Sequence, residues 1–257
     1  MEINVTGAKI FFRINVFGFN IDITQTAISL LAVTVLLIVA AYFLGRNLSK
    51  KKPGGLQIVT EKLIGMLYGV VEDTMGKHNS RFTPYIGTLF LSSFIGSIIG
   101  MTQIFRSTTA DLAVTLAWAL VTTGMVWYSN IKNFGFVAWL KGFTEPIVVM
   151  TPMNIVSEIA QPVSLAFRHF GNVAGGGVLT TLVYAALATG SNLLFSWLPG
   201  ALGEVLGMIP FLQAGLPAFF SIYFDLFSGF VQAFVFCLLT MVYVGTANPP
   251  PEEQPNA

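Results

Sequence analysis

Hydrophobic residues along this chain form long runs, and most of the charged residues fall in the short stretches between them. Residues 23–45, between Asp22 and Arg46, hold no charge at all. A helix needs about 20 apolar residues to cross a bilayer, so this run predicts a first membrane span. The later runs predict four more spans, at 82–105, 112–131, 153–188 and 218–246. A turn is expected within 189–204.

Residues 56–75 have a different pattern. Apolar residues recur there at helical spacing, but charged residues interrupt them: Glu61, Lys62, Glu72 and Asp73. This pattern is typical of an amphipathic helix lying at a membrane surface. A helix packed on the soluble side of the protein is the alternative. Residues 1–22 predict an outer N-terminal segment. Pro210 and Pro217 predict an irregular entry into the last span, and the polar, proline-rich residues 247–257 predict a flexible tail.

Composition changes this picture little. The chain has 257 residues, of which 54% are hydrophobic and 10% charged, and its mean hydropathy is +0.73. Soluble domains average about 25% charged residues, so the fold class predicted is an all-α integral membrane protein. The net charge of +1 gives no reason to expect a nucleic-acid partner. The single cysteine, Cys237, excludes an intrachain disulfide, and no metal, cofactor or nucleotide-binding loop is expected.

The distribution of lysine and arginine predicts the topology, because basic residues collect on the inner side of a membrane. One side collects Arg46, Lys50, Lys51, Lys52, Lys62, Lys77, Arg81, Lys132 and Lys141, whereas the other has only Lys9, Arg13 and Arg106. Five spans then put the N-terminus outside and the C-terminus inside. No arginine-rich transit segment begins the chain, which favours a bacterial plasma membrane, although an organelle-encoded protein would need none.

One arginine does not fit a purely apolar span. Arg168 lies inside the fourth predicted span, and a guanidinium cannot lose its charge there. A central arginine costs roughly 3 kcal/mol on insertion scales, so such a residue indicates function by default. Ser164, Arg168 and Asn172 are four residues apart and share one helical stripe. Three glycines follow, Gly175, Gly176 and Gly177, and glycines in membrane helices allow close approach of another helix.

The other polar residues of the last two spans can be compared by depth. Glu158 precedes Arg168 by ten residues, about 15 Å along a helix toward the inside. Asp225 and Gln232 are two turns apart, with Asp225 about 10 Å nearer the outside. If Gln232 is level with Arg168, a carboxylate lies inward, a fixed cation midway and a carboxylate outward. This layout predicts an ion path that the positive charge interrupts, so that each half opens to one side only.

Three stretches carry a resemblance to a known family. PVSLAFRHFGN at 162–172, STTADLAVTLAWAL at 107–120 and FVQAFVFCLLTMVYVG at 230–245 resemble subunit a of F-type ATP synthases of the bacterial type. The resemblance implies an ion-translocating stator subunit, itself non-catalytic, with two offset half-channels for protons or sodium ions. Its implied partners are the ring of c subunits, against which the two long C-terminal helices pack, the b-subunit peripheral stalk, other synthase subunits and membrane lipid.

The resemblance also implies roles for individual residues. Arg168 matches the essential arginine that faces the c ring, and Asn172 and Gln232 match its polar neighbours, with Ser164 in the same stripe. Asp225 matches the outer half-channel and Glu158 an acidic position near the inner one. Many relatives have an ionisable residue where this chain has Gly177, so Asp225 is expected to supply the outer carboxylate alone. His169 is expected to be a packed interior histidine.

Two other classes of function remain open at this point. A self-contained secondary transporter could bind a small anion with Glu158, Arg168 and Asp225, but it predicts paired repeats with broken helices, and no convincing repeat is visible. A purely structural scaffold conflicts with fixed charges at matched depths within the membrane. Copurification of an intact c ring would separate the stator from both.

Overall fold

The computed structural model of the protein describes residues 10–16, 19–46, 48–50, 53–102, 104–195 and 222–251. The predicted entry at Pro210 and Pro217 lies outside these residues, as does most of the turn expected within 189–204. Residues 189–195 are described, and they are helical. A helix satisfies its backbone hydrogen bonds internally, so a helix in a membrane can continue through the glycine and polar residues of this stretch.

The described residues begin with a two-stranded antiparallel hairpin, which is an addition to the all-α prediction. Strands β1 (Ile10–Val16) and β2 (Phe19–Thr24) pair so that Arg13 lies opposite Asp22. The Nε atom of Arg13 donates a hydrogen bond to Oδ1 of Asp22 at 2.6 Å. The hairpin leads directly into the first helix, which Thr24 caps by accepting a hydrogen bond from the backbone N–H of Ala27.

Seven α-helices follow within the described residues. They are α1 (Gln25–Gly45), α2 (Gly55–Met75), α3 (Thr83–Ile98), α4 (Leu112–Phe134), α5 (Phe136–Gly142), α6 (Thr151–Phe195) and α7 (Gly229–Thr246). A π-helical turn, Ile222–Ser228, precedes α7. Five helices are long and apolar enough to cross a membrane: α1, α3 with its flanking 3-10 turns, α4, α6 and α7 with the end of its π-helical turn. The prediction of an all-α membrane protein with five spans is therefore confirmed.

Helix α6 extends beyond the predicted range 153–188 at both ends. Its 45 residues correspond to about 68 Å, twice the thickness of the hydrocarbon core. Pro162 lies inside the helix and has no N–H to donate. The carbonyl group of Glu158, four residues earlier, therefore lacks its usual helical partner.

Helix α2 is in contact with the rest of the molecule mainly through its C-terminal turns. Val71 and Met75 are its buried residues, whereas Leu56, Val59 and Leu63 are between 59% and 69% exposed. Gly245 of α7 lies against Met75, where an added Cβ would be only 3.5 Å away. An apolar face left open over three turns favours the membrane-surface interpretation of this helix over the soluble-side alternative.

The core forms where α3, α4, α6 and α7 meet. Its buried side chains include Ile86 and Leu89 of α3, Ala119 and Val126 of α4, Leu165 and Ala166 of α6, and Phe236, Met241 and Val244 of α7. Ile86 and Leu89 are three residues apart, Met241 and Val244 are also three apart, and Ala119 and Val126 are seven apart, as expected for helices that pack along one face. The core thereby fixes α6 against α7, and these two helices carry the candidate site.

Buried amides close the end of this bundle that is predicted to face inside. The backbone oxygen of Asn248 accepts a hydrogen bond from Nδ2 of Asn79 at 2.8 Å, and the oxygen of Ala247 accepts one from Nδ2 of Asn133 at 2.9 Å. Ala247 and Asn248 are each 2% exposed, so the segment predicted to be a flexible tail begins in a fixed conformation. These amides satisfy the carbonyl groups of the two residues that follow α7, where the helical hydrogen bonds have ended.

Hydroxyl groups hold the opposite end, which is predicted to face outside. Thr109 Oγ1 is hydrogen-bonded to Ser97 Oγ at 2.9 Å and to Ser107 Oγ at 3.0 Å, which ties the loop after α3 back onto that helix. The hydroxyl of Thr108 occupies the place where a side chain at Gly96 would begin. Glycine is therefore required at 96 for this close approach.

Candidate functional site: a charged and polar stripe on helices α6 and α7

Arg168 lies in the continuous part of α6, and its side chain is exposed on the surface of the chain. Among the described residues, no side chain is within hydrogen-bond or ion-pair distance of its guanidinium. An arginine in this position within an apolar span is unfavourable unless a partner compensates the charge. The described part of this chain supplies none.

The predicted stripe is present on the exposed face of α6. Ser164, one turn before Arg168, is exposed, and Asn172, one turn after it, is partly buried. Nδ2 of Asn172 donates a hydrogen bond to Oγ of Ser228 at 2.6 Å, at the start of α7. The stripe therefore begins exposed and passes outward into the contact between the last two helices.

This hydrogen bond also sets the relative height of α6 and α7. Asn172 contacts Ser228, whereas the earlier residue His169 contacts the later residue Phe236, with 5.3 Å between the ring centroids. The two helices are therefore antiparallel. Asn172 and Ser228 are level because they are hydrogen-bonded to each other. Arg168 is one turn before Asn172, and Gln232 is one turn after Ser228 on the antiparallel helix, so Arg168 and Gln232 lie at the same level. Gln232 is only 8% exposed, and its Nε2 has no hydrogen-bond partner among the described residues.

Asp225 belongs to the π-helical turn Ile222–Ser228, and its side chain lies outside the described part of the structure. By the same alignment of α6 and α7, its backbone lies near the level of Gly175 and Gly176, about two turns outward from Arg168. An added Cβ at Gly175 or Gly177 would meet nothing within 4 Å. Packing inside the described chain therefore does not require glycine at these two positions.

Glu158 lies on the predicted inner side of Arg168, ten residues or about 15 Å away along α6. It is partly buried and accepts a hydrogen bond from Nε1 of Trp127 on α4. The carboxylate borders a cavity of about 620 Å³ between α4, α5 and α6. Other polar residues at the wall of this cavity are Asn130, Glu145, Asn154 and Ser157. The cavity is large enough to hold water against a carboxylate.

The arrangement brings together most of the residues singled out from the sequence. One stripe carries Ser164, Arg168 and Asn172, with Gln232 level with the guanidinium and Glu158 beside a polar cavity below it. A mobile carboxylate that reaches Arg168 from outside the chain would be held in its ionised form, because a nearby positive charge favours that form. A passing free cation would be repelled at the same point.

Sequence reasoning missed three contributors. Ser228 is the partner of Asn172, and its position one turn before Gln232 is a signal that could have identified it. Trp127 binds Glu158 from a helix about 30 residues earlier in the chain, and no local pattern indicates such a contact. Ser93 is hydrogen-bonded to His169, and because this contact also joins distant parts of the chain, no local pattern indicates it. The expectation of a packed interior histidine at 169 is confirmed, since this side chain is 0% exposed.

Comparisons with known proteins identify the family of the chain. The sequence model of the family described as ATP synthase A chain matches residues 26–245. The chain is similar to "ATP synthase subunit a, sodium ion specific" from Propionigenium modestum, with 33% identity over 89% of this chain and 75% of that protein. It is also similar to ATP synthase subunit a from Moorella thermoacetica (29% identity, 87% and 90% covered) and from Bacillus velezensis (31%, 90% and 94%). With most of its length matched, the chain belongs to the ATP synthase A chain family.

Proposed function

We propose that this chain is the ion-translocating stator subunit in the membrane sector of an F-type ATP synthase, and that Arg168 separates its two half-channels. The observation that carries the proposal is an exposed arginine in a membrane-spanning helix that has no partner among the described residues. The missing partner is the carboxylate of a c subunit in the rotor ring. Family membership favours this function over a self-contained secondary transporter.

The inner half-channel begins at the cavity beside Glu158. Asn154 and Ser157 border the cavity, and Gln161 and Ser164 continue the same face of α6 up to Arg168. These residues are spaced three or four apart, so they form one polar strip along the helix. Water in the cavity can carry an ion between this strip and the inner solution. Glu158 attracts cations to the entrance because its charge is negative.

The outer half-channel begins near Asp225. Its backbone is near the level of Gly175 and Gly176, outward of the Asn172–Ser228 hydrogen bond. Gly175, Gly176 and Gly177 allow a helix of the ring to approach α6 closely. The side chain of Gln232, level with Arg168, lies buried beside the point where the two half-channels end, and its Nε2 has no hydrogen-bond partner among the described residues.

Rotation follows from the cost of charge in lipid. An ion that enters past Asp225 neutralises a carboxylate of the ring, and the neutral group can turn into the lipid because its desolvation penalty is much smaller. When the carboxylate returns on the inner side, Arg168 favours its ionised form and the ion leaves past Glu158. Each elementary charge that crosses supplies about 2.3 kcal/mol per 100 mV, and this energy drives the rotor.

The remaining parts of the proposal concern assembly and location. The ring of c subunits packs against α6 and α7, and the b-subunit stalk and membrane lipid contact other exposed apolar helices. The membrane is a bacterial plasma membrane, and the distribution of basic residues favours an N-terminus outside and a C-terminus in the cytoplasm. The proposal holds whether the coupled ion is a proton or a sodium ion. The experiment below identifies which of the two is carried.

The experiment is purification of the complex through a tag on this chain, followed by reconstitution into vesicles. We expect an intact c ring to copurify and ATP addition to drive ion uptake, measured with a pH dye and with a sodium indicator in parallel. Uptake that stops when the ring is blocked with a carboxyl-reactive carbodiimide supports the stator. Ion or anion transport by the chain alone, without the ring or ATP, would contradict it and favour the transporter.

A further inference from the structure

His169 follows Arg168 directly but lies on a different side of α6. Adjacent helical residues are about 100° apart around the axis, so one can face outward while the next faces the bundle. Arg168 is exposed, whereas the side chain of His169 is 0% exposed. The orientation of the buried residue therefore determines where the exposed one is directed.

The imidazole of His169 is in contact with each of the other three core helices. Its Nε2 is hydrogen-bonded to Oγ of Ser93 on α3 at 3.0 Å. Its ring is edge-to-face with Phe236 on α7, 5.3 Å between centroids, and with Trp118 on α4, 6.3 Å between centroids. The hydrogen bond fixes both the rotation and the height of α6, and the two aromatic rings prevent the imidazole from moving sideways.

Packing alone does not explain a histidine at this position. Nδ1 of His169 is buried and makes no hydrogen bond of good geometry among the described residues, although the backbone of Gln232 on α7 lies close enough to interact with the imidazole. A polar atom satisfied so poorly is unfavourable compared with an apolar group of similar size. The hydroxyl of Ser93 is also fully buried, and its hydrogen bond to the imidazole crosses from one helix to another. The two polar groups are paired with each other where three core helices meet His169.

We propose that His169 is a positioning residue for Arg168, and that its hydrogen bond to Ser93 holds the guanidinium level with Gln232 and directed at the rotor ring. The inference rests on the proposed function of Arg168. A rotation of α6 by about 30° would move a side-chain tip about 5 Å from the axis by about 3 Å. Misplacement by 1 Å can already reduce a reaction about 100-fold, so a small rotation is sufficient to impair ion transfer.

The test compares four variants of the assembled complex: S93A, H169F, the S93A/H169F double variant and H169Q. Phenylalanine retains the ring between Trp118 and Phe236 but removes the hydrogen bond, whereas glutamine retains a group that can bond to Ser93. We expect S93A and H169F each to lower ATP-driven pumping about fivefold at equal assembly, and the double variant to lower it no further. H169Q should stay within about twofold of the wild type.

A cross-link measures the position of α6 directly. Cysteines replacing Asn172 and Ser228, in a C237A background, should form a disulfide on mild oxidation, because the native side chains are hydrogen-bonded. H169F should lower the yield of this cross-link at least about threefold, since a disulfide tolerates little displacement. H169Q should restore the yield.

Three results would overturn the positioning role. These are unchanged pumping and cross-linking in H169F, additive losses in the double variant, and a fall in pumping that only follows the amount of assembled complex. R168A is the reference for the proposed function itself. If R168A pumps normally, the function assigned to Arg168 is wrong; if it does not pump while H169F does, only the positioning role is wrong.

Discussion

At the scale of single residues, the site depends on two residues that are adjacent in sequence, one of which is exposed while the other is buried. Arg168 is exposed and without a partner among the described residues, while His169 beside it is fully buried and in contact with three helices. The charge is costly in a membrane, and the buried contacts are what hold it at one level. A residue with a role in ion transfer and a residue that orients it are thus encoded side by side.

A second residue-scale feature is the ion pair of the N-terminal hairpin. The hydrogen bond from Arg13 lowers the pKa of the Asp22 carboxyl below its usual 3.8. A carboxyl with a lowered folded pKa stabilises the hairpin above its unfolded pKa, and this contribution is lost as the pH falls through the folded value. We expect the protection of the backbone amides of residues 10–16 and 19–24 against hydrogen exchange, measured relative to the intrinsic exchange rate at each pH, to fall below about pH 4. D22N should exchange faster at neutral pH and show no such transition; an unchanged transition in D22N would contradict this.

At the scale of elements, helices α3, α4, α6 and α7 place the site through close approaches that the sequence does not reveal. Gly96 on α3 is the clearest case, because the hydroxyl of Thr108 occupies the space a side chain would need. The loop before α4 can pack onto α3 only for this reason. Hydrogen bonds among Ser97, Ser107 and Thr109 then fix the loop in place.

We therefore expect G96A to destabilise the protein by about 1–3 kcal/mol, as for other overpacked positions. Alanine is intrinsically better than glycine in a helix by about 1 kcal/mol, so the clash with Thr108 must outweigh this gain. The control is G124A on α4, where an added Cβ meets nothing within 4 Å and stability should not fall. Thermal unfolding in detergent measures both; equal behaviour of the two variants would contradict the close approach.

Element positions followed from hydrophobic runs, because a membrane span requires length and apolarity and both are visible in the sequence. The sequence also allowed the level of Gln232 to be compared with that of Arg168, because the fixed residue spacing along two helices limits their possible alignments. The contacts of Glu158 with Trp127 and of His169 with Ser93 were not, because they join distant parts of the chain. The hairpin β1–β2 was missed although apolar and polar residues alternate along Phe19–Thr24, a signal typical of a strand.

At the scale of the whole molecule, the exposed face of α6 is incomplete without a partner. Arg168 has no counter-charge among the described residues, and Gly175 and Gly177 leave space that the described chain does not fill. A ring of c subunits would supply both the carboxylate and the helix surface. The cavity beside Glu158 then connects this contact with the inner solution.

The space at Gly175 gives a prediction about assembly. G175L should leave the folding of the chain itself unchanged, because nothing lies within 4 Å of the added Cβ. It should lower copurification of the c ring by about tenfold or more, since the added side chain obstructs a close helix contact. G124L is the matched control, with equal space on α4. Equal ring recovery in both variants would show that the ring does not approach α6 at this point.

The most direct test of the central claim is ATP-driven ion pumping by R168A in inverted membrane vesicles, at an amount of assembled complex matched to the wild type. K141A is the control, because it also removes one exposed positive charge, but from the short helix α5. The account predicts that R168A complexes assemble and do not pump, while K141A pumps as the wild type does. Undiminished pumping by assembled R168A complexes would contradict the account, because no barrier between the half-channels would then depend on this arginine.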